Sequence, residues 1–123
     1  MREADGLPVT GPTARTLGAR PGVDVPVGPD GMVHPGTGGV SVSPDSPLNL
    51  PPHRRPPEFG GTGRDPVWRL DERDLPDGLS YRPDPVRPSG HGFVEPSRSM
   101  PLTEYQRLLE STRPSWTRVS GGG

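Results

Sequence analysis

Short alternating stretches separated by Pro and Gly dominate the chain, and a helical period occurs only once. Val23, Val25 and Val27 alternate with Asp24 and Pro26, the spacing of a short strand or extended edge segment. Pro29-Asp30-Gly31 is a turn signal. Val40-Ser41-Val42-Ser43 alternates again and predicts a strand entered from the flexible turn Gly36-Thr37-Gly38-Gly39. Val67-Trp68-Arg69-Leu70 reads as a strand, Leu79-Ser80-Tyr81 as another after an Asp77-Gly78 turn, and Gly92-Phe93-Val94 as a further short one. From Leu102 the period changes. Leu102, Tyr105, Leu108 and Leu109 fall on one helical face. Thr103 and Gln106 have capping-box spacing, and Pro114 prevents the helix from running on. Trp116 is expected to pack just beyond it.

Two stretches lack any period. Residues 1–20 are polar, are punctuated by Gly11-Pro12, and read as a flexible lead. Residues 44–63 contain Pro44, Pro47, Pro51, Pro52, Pro56 and Pro57, then Gly60-Gly61-Thr62-Gly63. A loop of that length inside a domain is uncommon, and such loops often line active sites. The organisation expected is a flexible lead over 1–20, one domain over 21–119 and a flexible tail over 120–123. Several short strands followed by one helix make the fold class α+β with much coil.

Composition narrows the function. The chain has 123 residues, of which 20 are Pro and 18 Gly. That proportion borders on low-complexity disorder, but the net charge is only −1, unlike most disordered chains. Isoleucine is absent, so the core should be thin and stability modest. With no Cys, disulfides and thiolate zinc sites are excluded. No apolar run approaches the ~20 residues of a membrane span, and the first twenty residues lack the apolar middle of a signal peptide. A protein of this kind would leave the cell only through a dedicated machine or a larger fused carrier. All 14 basic residues are Arg. A GC-rich genome explains this, although guanidinium forks also suit phosphate. No block of like charge gives a nucleic-acid footprint.

The candidate chemistry is sparse. His34, His53 and His91 are the only histidines and have no ligand-like spacing, so no metal site is expected. Gly36-Thr37-Gly38-Gly39 is either a tight turn or a backbone cradle for a phosphate, without a Walker lysine. His53-Arg54-Arg55 is a cationic cluster able to grip a pyrophosphate, or else a solvated loop. Trp68 and Tyr81 are either core residues or stacking surfaces. On a strand, His91 and Glu95 lie on one face, and a carboxylate there can stabilise an oxocarbenium-like transition state. No Gly-x-Ser-x-Gly and no Cys nucleophile are present.

The run Asp30-Gly31-Met32-Val33-His34-Pro35-Gly36-Thr37-Gly38-Gly39-Val40-Ser41-Val42 resembles the D-G…P-x-T-G-G-x-S-V stretch of the type VI secretion exported toxin number two family. Leu75-Pro76-Asp77-Gly78-Leu79 resembles that family's I-P-P-x-L segment. His91 through Pro96, with Met100, Tyr105 and Leu108, resembles its closing H-x-x-(aliphatic)-x-P-x-x-x-M-x-x-(Tyr or Phe) run. The likeness covers roughly residues 30 to 110. It implies an ADP-ribosyltransferase-like fold, with a split antiparallel β core, long loops and a C-terminal helix. It also implies a toxin effector for competition between bacteria that uses NAD as substrate. Such a toxin is held harmless in the producer's cytoplasm by a cognate immunity protein and acts on a macromolecular acceptor in the target cell's cytoplasm. The family's Thr-Ser pair falls on Val40 and Ser41, so only Ser41 retains the hydroxyl. Its histidine falls on His91. The resemblance thus implies Ser41 and His91 as catalytic candidates in an NAD pocket that Gly38 and Gly39 would let the backbone approach. Side-chain chemistry adds Glu95 as a third catalytic candidate for charge stabilisation, Arg54 and Arg55 as NAD-binding candidates for the pyrophosphate, and Tyr81 as a ring-stacking one. Neither residue triad usual in ADP-ribosyltransferases is legible. Two alternatives remain open: an NAD glycohydrolase, and a non-catalytic module displaying the Pro-rich loop as an extended ligand.

Overall fold

A computed structural model describes residues 1–119 except Pro12, Ala14, Asp45, Pro51 and Arg64, together with all of the side chains there but that of Pro47. The tail expected over 120–123 lies outside the described residues, as do two of the residues named above as turn or loop signals, Pro12 and Pro51.

The molecule is a small mixed α/β protein with antiparallel sheets and one C-terminal helix. Among the described residues nine short strands run in chain order: β1 (Glu3–Ala4), β2 (Leu7–Pro8), β3 (Met32–Val33), β4 (Val40–Val42), β5 (Val67–Arg69), β6 (Leu79–Pro83), β7 (Gly92–Pro96), β8 (Met100–Pro101) and β9 (Thr117–Val119). The helix α1 (Leu102–Ser111) follows β8 directly. The largest sheet has the order β4-β7-β6, and β1-β2, β3-β8 and β5-β9 form two-stranded pairs. Frequent Pro explains the short pairs, because each removes a ladder donor.

The core forms where the helix meets the inner face of the three-stranded sheet. Leu79, Val94, Tyr105 and Leu109 are buried there with Val25, Val33, Ala19 and Met100. Leu102 and Leu108 pack against the same cluster, as the helical spacing requires. Tyr105 carries most of the joint. It is fully buried, its hydroxyl donates to the Val94 carbonyl, and it accepts from the Val40 N–H at 3.3 Å. Burial pushes that hydroxyl's pKa well up.

The start of α1 differs from the capping-box expectation. Thr103 lies inside the helix and Pro101 occupies the cap position without a side-chain bond. The first helical N–H, that of Leu102, donates instead to the Gly31 carbonyl at 2.9 Å. Gln106 is thereby released for a tertiary role: its amide accepts from Ala19 N–H at 2.8 Å and donates to the Ala19 carbonyl at 2.7 Å. This two-point bond sews residues 17–19 onto the helix.

Described residues of the stretch 1–20 also contact the rest of the chain. Leu17 and Ala19 are buried, and β1 and β2 form a hairpin. Arg113 donates to the carbonyls of Pro8 and Ala4, and the Trp68 indole donates to the Met1 carbonyl at 2.7 Å. Sequence polarity hid this, because backbone carbonyls rather than apolar side chains make most of the contact.

Of the short strand or extended edge segment expected over Val23–Val27, Val23 and Asp24 lie in a turn and Val25 makes an isolated bridge to Pro21. Val25 is buried while Val23 is 68% exposed. Gly22 adopts a left-handed φ of 74°, and Asp24 folds back to accept from the Arg20 N–H at 2.6 Å and from its guanidinium. Pro26 then lacks the N–H that a ladder would need. The described residues of the Pro-rich stretch take three 3₁₀ turns, Pro47–Asn49, Pro52–Arg54 and Pro57–Phe59. The following glycines close it, with Thr62 N–H on the Pro52 carbonyl and Gly63 N–H on the Arg55 carbonyl.

Acid should weaken this fold. Asp65, Asp84 and Glu104 are held below their ordinary pKa values chiefly by hydrogen bonds from Arg15, His91 and Arg98. Depressed folded-state values mean that the unfolded chain binds protons more tightly. The stabilisation is complete above about pH 4–5 and is lost as pH falls through the folded values. Circular-dichroism melts should show a lower midpoint at pH 3 than at pH 7; equal midpoints would remove these pairs from the stability account.

Candidate functional site

The two faces of the β4-β7-β6 sheet differ in chemistry. Val40, Val94, Tyr81 and Leu79 are in register or in phase on the inner face. One residue out of phase, Phe93 of β7 stands opposite Ser41 of β4 and Arg82 of β6. Ser41, Phe93 and Arg82 therefore form a row across the outer face. Glu95, two residues on, is paired with Ser80 and shares that face.

Phe93 organises the row. The Arg82 guanidinium sits over its ring, 4.8 Å from the centroid, a cation–π contact. The His91 ring meets it edge to face, with centroids 4.8 Å apart and planes at 76°. Three residues that the sequence singled out, Ser41, His91 and Glu95, thus come together on one sheet face although 54 positions separate the first from the last.

Their environments differ. Ser41 is exposed. Glu95 is only 7% exposed, and its Oε2 accepts from Arg82 Nε and from the Gly36 N–H, each at 2.9 Å. The glycine turn is thereby strapped across the carboxylate. His34, at the strap's root, meets Ser99 at 2.7 Å, and the Thr37 hydroxyl donates to the His34 carbonyl. His91 Nδ1 lies 2.8 Å from Asp84 Oδ2.

The remaining candidates lie elsewhere. Gly38 and Gly39 do permit close backbone approach, but the approaching atoms belong to this chain. A Cβ at Gly38 would stand 2.5 Å from the Asp24 carbonyl oxygen, and one at Gly39 would stand 2.5 Å from that of Val94. Gly38 also has a φ of 147°, which L side chains rarely adopt. Tyr81 lies on the inner face, its ring over Gly92, where a Cβ would fall 2.4 Å from ring carbon Cε2. The two-residue alternation that aims Arg82 outward aims Tyr81 inward. Arg55 donates to the Phe59 carbonyl at 2.9 Å and braces the Pro-rich loop. Arg54 lines a separate cleft of about 490 Å³ with Met1, Arg15, His53, Thr62, Gly63 and Asp65.

Arg82, Phe93 and Asp84 belong to the site and were not singled out in the sequence. Only the pairing register places Arg82 beside Phe93 and Glu95, and register is invisible when strands are this short. Asp84 was legible only as a carboxylate seven positions before His91, across a loop of unknown path.

Among the described residues no helix is long and apolar enough to cross a membrane. No protein-family model matches the chain, and neither a curated protein nor a solved structure matches it.

Proposed function

We propose that the chain is an ADP-ribosyltransferase-like toxin domain that takes NAD as substrate and is neutralised in its producer by a cognate immunity protein. One observation carries the reading: Ser41 and His91, which the family resemblance brings forward, and Glu95, which side-chain chemistry adds, converge around Phe93 on one sheet face. That face offers an exposed hydroxyl, an imidazole, a guanidinium and a carboxylate. Cleavage of the nicotinamide glycosidic bond builds positive charge on the ribose, and Glu95 is the negative charge nearest the row. Arg82, rather than Arg54 or Arg55, is the guanidinium beside the candidate catalytic groups. Delivery into a target cell by a dedicated machine, and a macromolecular acceptor there, belong to the same proposal.

Purified protein should release nicotinamide from NAD. Ser41→Ala and His91→Ala, both at positions outside the core cluster, should fold normally and lose turnover by roughly tenfold to a thousandfold. Wild-type turnover in both variants would reject the site. Free ADP-ribose as product would identify a glycohydrolase, and a mass gain on an added protein would identify a transferase. The non-catalytic reading draws on Leu48, 63% exposed in the Pro-rich loop. It would be preferred if folded wild-type protein left NAD intact while Leu48→Ser abolished capture of a partner.

A further inference from the structure

The loop between β6 and β7 closes on a pair of side chains, His91 of the motif-like run and Asp84 outside it. Asp84 N–H donates to the His91 carbonyl at 3.0 Å, and Asp84 Oδ2 meets His91 Nδ1 at 2.8 Å. The carboxylate is itself fixed, because Oδ1 accepts the Val86 N–H at 2.8 Å. The bond from His91 holds the Asp84 carboxyl below its ordinary range. At neutral pH the carboxylate is therefore an acceptor only, and Nδ1 is the ring nitrogen that donates. Phe93 blocks rotation of the ring from one side. Among the described residues no hydrogen bond engages Nε2, and the His91 side chain is 24% exposed.

We propose that Asp84 is a positioning residue that fixes His91 in the Nδ1–H tautomer, which makes Nε2 the proton acceptor of the outer sheet face. The use of that acceptor rests on the NAD-consuming function proposed above. Nε2 takes the proton of a hydroxyl, from water or from an acceptor alcohol, as the hydroxyl oxygen bonds to C1′ of the ribose. The bond from C1′ to the nicotinamide nitrogen breaks, and its electron pair leaves with nicotinamide, which departs neutral. Arg82 and Glu95 face the same row but are bonded to one another, so neither competes for the His91 ring.

Asp84→Asn is the informative variant. The Val86 N–H retains the amide oxygen, so the amide NH₂ replaces Oδ2 and donates to Nδ1. The ring proton is then forced onto Nε2. Nitrogen-15 NMR of the His91 imidazole in the full chain, at mildly alkaline pH, should show Nδ1–H in the wild type and Nε2–H in the variant. A wild-type ring that is mainly Nε2–H would overturn the assignment without any variant. Nicotinamide release should fall about a hundredfold or more in Asp84→Asn, in kcat rather than KM. A flipped tautomer with unchanged kcat would overturn the proton-acceptor role. If the tautomers behave as expected but the wild type releases no nicotinamide, the NAD reading fails and the Asp84–His91 assignment stands. Where nicotinamide is released, free ADP-ribose or a modified added alcohol tells water from alcohol as the source of the proton.

Discussion

Tyr105→Ala is expected to cost about 4 kcal/mol of folding stability, the loss typical of a buried aromatic residue cut back to a methyl group. Single domains hold only ~5–15 kcal/mol in all, and this chain, without isoleucine and with few aliphatic residues, belongs near the bottom of that range. The variant should therefore show no cooperative urea transition, or one at a far lower midpoint. Trp68 and Trp116 supply the fluorescence signal. Tyr105→Phe separates the two halves of the effect. It keeps the ring in the core but removes the hydroxyl that ties α1 to the Val94 carbonyl and the Val40 N–H. The expected loss is about 1–2 kcal/mol. A Tyr105→Ala protein with the wild-type midpoint would show that helix and sheet are not joined through this residue.

Tyr105 also shows what the sequence could reveal. Its place on an apolar helical stripe follows from spacing alone, and so do the strands at 40–42, 67–69 and 92–96 in outline, because a period of two or of 3.6 is a local property. The hydroxyl's partners are not local. They lie 11 and 65 positions away and depend on how β4 and β7 register. The same limit explains the turn at Val23 and Asp24. The alternation was present, but the Asp24 side chain and Gly22 offered the backbone a competing closure. It also explains Gln106, whose capping-box spacing was sound but whose amide bonds Ala19 at a separation of 87 residues.

The candidate site divides along the same line. Chemistry that depends on phase within one strand was readable, since His91 and Glu95 share a face four positions apart. Chemistry that depends on phase between strands was not. Tyr81 and Arg82 are neighbours in sequence, and either could have faced the site; pairing with β7 sent Arg82 to it and Tyr81 to the opposite face. Gly38 and Gly39 carry a further lesson. Glycine marks a close approach in sequence but does not say what approaches, and here it is the backbone at Asp24 and Val94.

Glu95→Ala should fail for two reasons at once, and the design of the substitution must separate them. Removing the carboxylate strands the Arg82 guanidinium, 30% exposed, and leaves the Gly36 N–H without its acceptor. Breaking a buried pair from one side costs ~3–5 kcal/mol. Partial exposure of Arg82 lowers this to about 2–3 kcal/mol through solvent screening. Lost turnover in Glu95→Ala would thus reflect a loosened strap as readily as lost chemistry. Glu95→Gln keeps the volume and an oxygen for Arg82 or Gly36 while removing the charge, so its stability should fall by only about 1–2 kcal/mol. If Glu95 stabilises positive charge on the ribose, the Gln variant should lose nicotinamide release by roughly a hundredfold or more at full folding. If the carboxylate only anchors the strap, turnover should track the folded fraction in both variants. Pairing Glu95→Ala with Arg82→Met then tests the Arg82–Glu95 pair itself. The double variant no longer holds an unpaired guanidinium and should recover part of the stability lost in the single one, whereas a strictly additive loss would mean that the two side chains are not coupled.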